Sequence, residues 1–478
     1  MRWAVCVLFL CCFAARILNA ADPPSVTPKP KKIEMRTGSW TWTPETTILA
    51  SEKAKPWLDP MLAGFASRLG RAPEVNDGAK AVRIGLYDDA PYLKDLRPSE
   101  PRAESYVLEI DPSGVRLAAA DGNGILYGLG TLLQLLPEKG GAMPCLRIED
   151  APAVSWRGIH TFPPSTQGVD AFKRFVDRVL VPLRFNVLVM EVNYDFPYTT
   201  HPEVRSGGAR PREFYVDLAD FLKARGIRPI PQFNCLGHQS WAKNTLPLLV
   251  KHPEFDETPW LAKDNPGIYC RSWCPRHPEV NPFVCDLLGE LIDAFKPEAL
   301  HVGMDEVFIL GDEKCPRCAK VPKDELFAGA VSDLEKYLTS KKVGMLLWSD
   351  RLLDASKTPY GKWEASQNAT APAIDRISKQ IICCDWHYGK HSAYPSIPYF
   401  QDKGFGVLAC GWKEPDAART FYRYALANQK GKFLGFLATT WMGADPIVRA
   451  ALENQGNKDA LGVAACVRLA GEMGWTGE

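Results

Sequence analysis

The sequence predicts an α/β chain: a (β/α)8 TIM barrel preceded by a small α+β domain. Three observations carry this. The chain has 478 residues, too many for one small domain and enough for a barrel plus a smaller unit. Over residues 22–150, short strand and helix patterns are mixed without a fixed repeat. Over residues 151–478, eight apolar runs alternate with helical patterns, as parallel strands joined by helical crossovers require.

Residues 1–21 read as a signal peptide. Arg2 is a short basic region, Trp3 to Ala15 an apolar stretch and Leu18-Asn19-Ala20 a cleavage-like site. The apolar run is shorter than the ~20 residues a bilayer span needs, so export to the periplasm or the exterior is expected, with no membrane attachment once the signal is removed. The Pro/Lys-rich stretch from 22 to about 35 reads as a solvated linker. "AVRIGLYDD" is strand-like, and "SYVLEIDPSGVRLAAA" is a hairpin around an Asp-Pro-Ser-Gly turn. "DGNGILYGLGTLLQLLP" is a helix ended by Pro137. Its glycines do not match a dinucleotide loop, and Gly124 and Gly128, four apart, leave a bare face for close packing on a sheet. The eight barrel strands are expected at "SWRGIHTF", "FNVLVMEVN", "IRPIPQFN", "ALHVGMDEV", "VGMLLWSD", "QIICCDWHYG", "FGVLACGW" and "FLATTWMG". Helical stretches such as "FYVDLADFLKARG" and "NPFVCDLLGELIDAF" separate them.

A formal net charge of +1 gives no global field toward nucleic acid or an anionic membrane, so neither is expected as a partner. The 14 tryptophans and 15 tyrosines, many in polar or Gly/Pro-rich surroundings, suit sugar-stacking platforms. Of the 14 cysteines, Cys6, Cys11 and Cys12 leave with the signal, and the odd number remaining excludes complete internal pairing. Cys383, Cys384 and Cys410 sit in apolar runs and read as inert core residues.

Each strand-like run is read as ending in polar or aromatic residues: Arg157, Asn193, Asn234, Asp305 with Glu306, Trp348 with Asp350, Trp386 with Tyr388, Trp412 and Trp441. In a barrel of this kind the C-terminal strand ends build the site, so these residues are expected to converge. The acid pair Asp305–Glu306 is the sharpest feature. Neighbours in a strand point to opposite sides, so the two carboxylates share a pocket only if the strand bends or ends there. Such an end offers two environments, one keeping a carboxylate ionised and one keeping a proton. Two acids among tryptophans above a barrel suggest glycoside hydrolysis.

"HVGMDEV" resembles the H-[IV]-G-G-D-E motif of glycoside hydrolase family 20, the β-N-acetylhexosaminidases. "WRGIHTF" is similar to that family's first-strand segment, "PQFNCLGHQSW" to its P-E-x-D-x-P-G-H segment, and "WSD" to its W-x-D stretch. The resemblance implies a retaining, substrate-assisted mechanism on terminal N-acetylhexosamine of β-linked oligosaccharides or glycoconjugates, with no cofactor and no metal. It implies Glu306 as general acid and then base, and Asp305 as acceptor of the acetamido N–H. It further implies Tyr388 as donor to the acetamide oxygen, and Trp348, Trp386, Trp412 and Trp441 as walls and stacking faces. Arg157 is expected to hold the 3- and 4-hydroxyls, and Asp350 another hydroxyl or the acetamide partner. His238 and His301 are expected to orient the acids, or to be satisfied core histidines. The sequence departs from the pattern at Met304, Gln232, Asn234 and Leu236, and it lacks an acid two residues after Trp441.

Glu191, Asn193, Asp195 and Tyr198, after the second strand, line the rim or form a solvated loop. A metal-dependent barrel hydrolase is disfavoured because the first strand offers only His160. A carbohydrate-binding homologue with weak or lost catalysis is the alternative from another class. Finally, "YCRSWC" and "KCPRC" place Cys270, Cys274, Cys315 and Cys318 in the loops after the third and fourth strands, where disulfides, a zinc site or free thiols are all open readings.

Overall fold

The computed structural model describes residues 22–478 apart from 79, 242 and 265–267, so the segment read as a signal peptide lies outside the described residues. The chain first forms a six-stranded sheet of β1 (Lys32–Trp42), β2 (Thr47–Ala50), β3 (Ala81–Leu86), β4 (Tyr106–Asp111), β5 (Gly114–Ala119) and β6 (Gly141–Asp150). Their spatial order is β1-β6-β4-β5-β3-β2. β4 and β5 are the antiparallel hairpin its turn residues predict, with Asp111 Oδ1 accepting from the N–H groups of Ser113 and Gly114. The helices Asp59–Leu69 and Gly122–Leu135 share one apolar cluster with Leu108, Leu117 and Ile148 of the sheet. The glycine face of the second helix is pressed close: a Cβ at Gly128 would lie 2.3 Å from Leu117 Cδ1, and one at Gly124 2.7 Å from the Ser105 carbonyl oxygen.

The expected linker is shorter than its composition suggests. Lys32 to Met35 already pair with β6, Lys32 opposite Glu149. Ahead of them, Thr27 exchanges two 2.9 Å hydrogen bonds with the Gln134 side chain. The charged residues mark a solvated sheet edge rather than a free segment.

The barrel strands are β7 (Trp156–Thr161), β8 (Val187–Glu191), β9 (Arg228–Cys235), β12 (Ala299–Gly303), β13 (Gly344–Trp348), β14 (Ile382–Trp386), β15 (Gly406–Gly411) and β16 (Phe433–Ala438). The short hairpin β10 (Ser240–Trp241) and β11 (Asn244–Thr245) lies in the loop after β9. All eight expected strands are present and close into a parallel barrel in chain order; the last begins at Phe433, three residues before the run "FLATTWMG". Strand alternation divides the side chains. Val187, Val189, Leu346, Cys384, Leu408, Cys410 and Leu437 fill the barrel interior. Leu188, Met190, Leu347, Cys383, Val407 and Phe436 pack outward in the larger cluster with the helices. Burial on both sides is why these strands read as near-continuous apolar runs.

The two units are joined through buried ion pairs. Arg184 Nη1 lies 2.6 Å from Asp150 Oδ2, and Arg157 Nη2 lies 2.7 Å from Glu104 Oε2. Trp475, from the C-terminal helix Lys458–Thr476, enters the small domain's apolar cluster and donates to Asp150 Oδ2 at 3.0 Å.

Candidate active site

The sequence motif around the acid pair breaks its own strand. β12 ends at Gly303 (φ +68°), and both Met304 (φ 76°) and Glu306 (φ 49°) take left-handed backbone conformations. Non-glycine residues go there only when their surroundings hold them. Met304 is packed into the core, 1% exposed, and Gly303 abuts Asn234, whose Cα would lie 2.9 Å from a Cβ at that position. This irregular turn brings adjacent carboxylates to a common partner, His238. Its Nε2 is 3.2 Å from Asp305 Oδ2 and 3.3 Å from Glu306 Oε2.

His238 is itself placed by strained backbone. Leu236 (φ 62°) and His238 (φ 53°) form a tight turn after β9. Gln239 fastens the turn, donating to the carbonyls of Asn234 (2.8 Å) and Gly237 (2.9 Å) and accepting from Tyr194 Oη at 2.5 Å. Burial disfavours charge on the imidazole, but Asp305 outweighs it, with help from Cys270 and Glu306, and holds His238 protonated well above the usual histidine range. Cys270 Sγ lies 3.3 Å from His238 Nδ1, so both ring nitrogens are engaged. His238, Cys270 and Glu306 place ligand atoms within 4.8 Å of one another; a soft cation there would occupy the carboxylate of Glu306.

The two acids differ in surroundings. Asp305 is buried, and its Oδ1 has no hydrogen-bond partner. The Glu306 side chain is covered almost as well, 12% exposed against 9% for Asp305, and its backbone N–H is fixed by Asp350 Oδ2 at 3.0 Å. Aromatic side chains from the later strands complete the mouth. Trp441 (φ 47°) donates its indole N–H to Tyr388 Oη. Tyr388 lies 5.0 Å from Trp386 in a stacked pair and 5.2 Å from Trp412. Burial keeps the Tyr388 phenol protonated; its oxygen accepts from Trp441 and lies 3.4 Å from Thr439 Oγ1, a long contact that a closer acceptor on a ligand would replace.

Asp305, Glu306, His238, Tyr388, Trp386, Trp412 and Trp441 therefore belong to one contiguous group. Four expectations need correction. Arg157 is at the start of β7, not its end, and is 0% exposed. It donates to the carbonyls of Arg184 and Val154, to Glu104 and to Tyr127, so its guanidinium is spent on the junction with the small domain. His301 makes no contact with either acid and is a core histidine, the other role left open for it, though its Nε2 is buried without a partner. Its Nδ1 accepts from Gly303 N–H at 3.0 Å, its ring packs on Trp348, and burial pushes its pKa well below the usual range. Asp350 has no free edge: Oδ1 accepts from Trp386, and Oδ2 from Glu306 N–H and Arg351 Nε. It positions Glu306, with burial lifting its pKa to about 6 against the pull of Arg351. Trp348 is fully covered and forms the floor beneath Trp441 rather than a stacking face.

After the second strand, only the front of the segment reaches the site. Glu191 accepts from His160, Gln232, Asn193 and Asn234, a polar layer across the ends of β7, β8 and β9. Asp195 is instead tied to Arg210 and Ser206, and Tyr198 is buried with its hydroxyl on the Asn193 carbonyl. His160 Nδ1 and Gln232 Oε1 are buried without partners. The His160–Glu191 pair was legible only as two unrelated strand residues. An outer group was missed entirely: Trp241 (59% exposed), Tyr269, Phe308 and Trp363 (41% exposed) form a connected aromatic patch beside His238. Its members sit in loops or, for Trp241, in the two-residue strand β10, too short for a strand period to mark.

Comparison with known proteins identifies both units of the chain. Residues 23–151 match glycosyl hydrolase family 20, domain 2, and residues 196–444 match the catalytic domain of the same family. A beta-hexosaminidase of Akkermansia muciniphila is 29% identical over 250 residues, covering 47% of this chain and 50% of that protein. A beta-hexosaminidase of Porphyromonas gingivalis is 24% identical over 396 residues, covering 73% of this chain and 48% of that protein. The chain thus spans about half the length of these curated relatives. Among solved structures, the Flavobacterium johnsoniae chitobiase superposes with a TM-score of 0.68 at 20% identity, over 92% of this chain and 68% of that one. The Vibrio harveyi exo-β-N-acetylglucosaminidase superposes with a TM-score of 0.67 at 17% identity, over 95% and 75%. These likenesses show a shared fold. Since the catalytic-domain match alone takes in more than half of the 478 residues and the second domain precedes it, this chain belongs to glycosyl hydrolase family 20.

Proposed function

We propose that the protein is an exported β-N-acetylhexosaminidase that removes terminal N-acetylhexosamine by a retaining, substrate-assisted mechanism. The observation that carries this reading is the Asp305–Glu306 pair sharing His238, with a buried Asp305 oxygen left free and a Tyr388 hydroxyl nearby. In this scheme the substrate's own acetamide oxygen attacks C1, so no protein nucleophile is required. Asp305 accepts the acetamido N–H through its unpartnered oxygen and offsets the positive charge that develops on the cyclised ring. Tyr388 donates to the acetamide oxygen. Glu306 protonates the leaving oxygen and then takes a proton from water. His238⁺ holds both carboxyl groups in register. The polar layer of His160, Glu191 and Gln232 reads the sugar hydroxyls in place of Arg157, and the outer patch of Trp241, Tyr269 and Trp363 receives the leaving side of the glycan. The relatives' names, beta-hexosaminidase and exo-β-N-acetylglucosaminidase, support the substrate class, and the apolar N-terminal stretch supports export.

The deciding assay compares aryl β-N-acetylglucosaminide with the plain aryl β-glucoside, with and without a thiazoline mimic of the cyclic intermediate. Turnover of the first alone and strong inhibition by the thiazoline are expected, because the mimic resembles the high-energy species. Comparable turnover of the plain glucoside, or a trapped glycosyl ester on the protein, would refute the mechanism. Binding without turnover would favour a carbohydrate-binding homologue.

A further inference from the structure

The four loop cysteines do not act as one group. Cys270 belongs to His238, but Cys274, Cys315 and Cys318 converge. Cys274 Sγ is 3.4 Å from Cys318 Sγ and 3.7 Å from Cys315 Sγ, and no disulfide joins them. The fourth member is a carboxylate that the sequence does not announce. Glu257 is 0% exposed, and its ligand atom and the three sulfurs all lie within 4.8 Å of one another. One of its oxygens accepts from Asp312 N–H at 3.0 Å; the other, Oε2, is buried without a partner.

A buried carboxylate oxygen facing three thiols is a costly arrangement unless a cation completes it. A disulfide would use two sulfurs and leave the third, with Oε2, unsatisfied. We propose that Glu257, Cys274, Cys315 and Cys318 form a tetrahedral zinc site. The sulfur spacing suits it: bonds of ~2.3 Å at tetrahedral angles place sulfurs ~3.7 Å apart. The local sequence suits it too. "CPRH" at Cys274 and "CPRC" at Cys315 repeat one turn, and backbone N–H groups of Arg276 and of Arg317 and Cys318 point at the Cys274 and Cys315 sulfurs, as thiolates require. His277, the repeat's other candidate donor, turns away, accepting from Glu279 N–H and packing on Phe255. On binding, the thiols lose their protons and the zinc takes three thiolates and one carboxylate.

The donors come from three chain segments. Glu257 and Cys274 flank the bridged pair Asp256–Trp273, and Cys315 and Cys318 follow β12. Zinc therefore pins the loop carrying Cys270, beside His238, to the loop that leaves the acid pair. Its role is to position, not to react.

The test uses the full chain, reduced and freed of metal, titrated with Co²⁺ and separately with Zn²⁺. One equivalent of Co²⁺ should give a near-ultraviolet thiolate-to-metal charge-transfer band that Zn²⁺ displaces. X-ray absorption of the zinc form should show three sulfurs at about 2.3 Å and one oxygen at about 2.0 Å. Cys318→Ser should weaken binding by at least about 100-fold and Glu257→Gln by about 10–100-fold, while Cys285→Ser leaves it unchanged. If Cys318→Ser does not fold, the wild-type spectra and the near-isosteric Glu257→Gln decide. Absence of the charge-transfer band overturns the proposal. So does full affinity in Glu257→Gln with loss in His277→Asn, or a peptide cross-link between Cys274 and either partner in freshly purified protein.

Discussion

Glu306 is the residue on which proton transfer rests in the proposed scheme. Glu306→Gln keeps the shape and removes the transferable proton. Its rate should fall ~10²–10⁴-fold on substrates with poor leaving groups and much less on activated aryl glycosides, which need little protonation. Equal loss on both classes, measured as kcat/KM across a leaving-group series, would exclude the acid role. The identity of the pair was legible, because two carboxylates closing an apolar run are costly without a purpose. Their orientation was not. Adjacent strand residues diverge, and only the left-handed backbone at Met304 and Glu306, imposed by packing around Asn234 and the core, brings them together. The same limit hid the uses of Asp350 and His301. Both residue types suit a sugar site, and which atoms remain free depends on how side chains settle in the fold: the adjacent Arg351 and the distant Trp386 for one, Trp348 for the other.

At the scale of elements, the end of β14 and the two residues after it show how alternation serves the site. Trp386 and Tyr388 face the mouth, and His387 between them faces the helices. His387 is fully buried against Glu364 (2.7 Å), Asp385 (3.1 Å) and Ser396 (3.0 Å). Burial alone would lower its pKa, but Asp385 and Glu364 raise it from 6.5 to about 9. A folded pKa above the unfolded one means stability that is complete below about pH 6.5 and lost as pH rises through about 9. The shift corresponds to ~3 kcal/mol. Denaturation of the wild type and His387→Gln at pH 6 and at pH 9.5 should show a gap that narrows at the higher pH. A constant gap would mean that the imidazole is not charged in the fold. Placement of the strand was readable from its apolar run; the histidine's burial among acids was not, since Glu364 and Ser396 come from the connecting segments.

At the scale of the whole molecule, Arg157 is the instructive case. It was expected to bind sugar hydroxyls; it instead spans the two units, fully buried with Glu104 and Tyr127. Removing one partner of a buried pair strands the other, at ~3–5 kcal/mol. Glu104→Gln and Arg157→Met should therefore lower the unfolding free energy by amounts of that order, while KM of the remaining folded enzyme stays within about twofold of wild type. A large rise in KM for Arg157→Met without loss of stability would restore the binding role. The measurement is denaturant unfolding beside steady-state kinetics on the same preparations.

What the sequence by itself determined is the architecture. Apolar runs buried on both faces, spaced by helical repeats, specify a closed parallel barrel because few other packings cover such strands. The hairpin, the glycine-faced helix and the order of the two units follow from local turn chemistry and period. Only the tertiary structure decided which polar residues meet. It sent Arg157 to the domain junction, drew His160 and Glu191 into the polar layer, gathered Trp241, Tyr269 and Trp363 at the rim, and exchanged Cys270 for Glu257 beside the other three cysteines. The physical reason is common to all four: loop and strand-end side chains obey no period, so their partners are set by how distant segments pack and not by spacing along the chain.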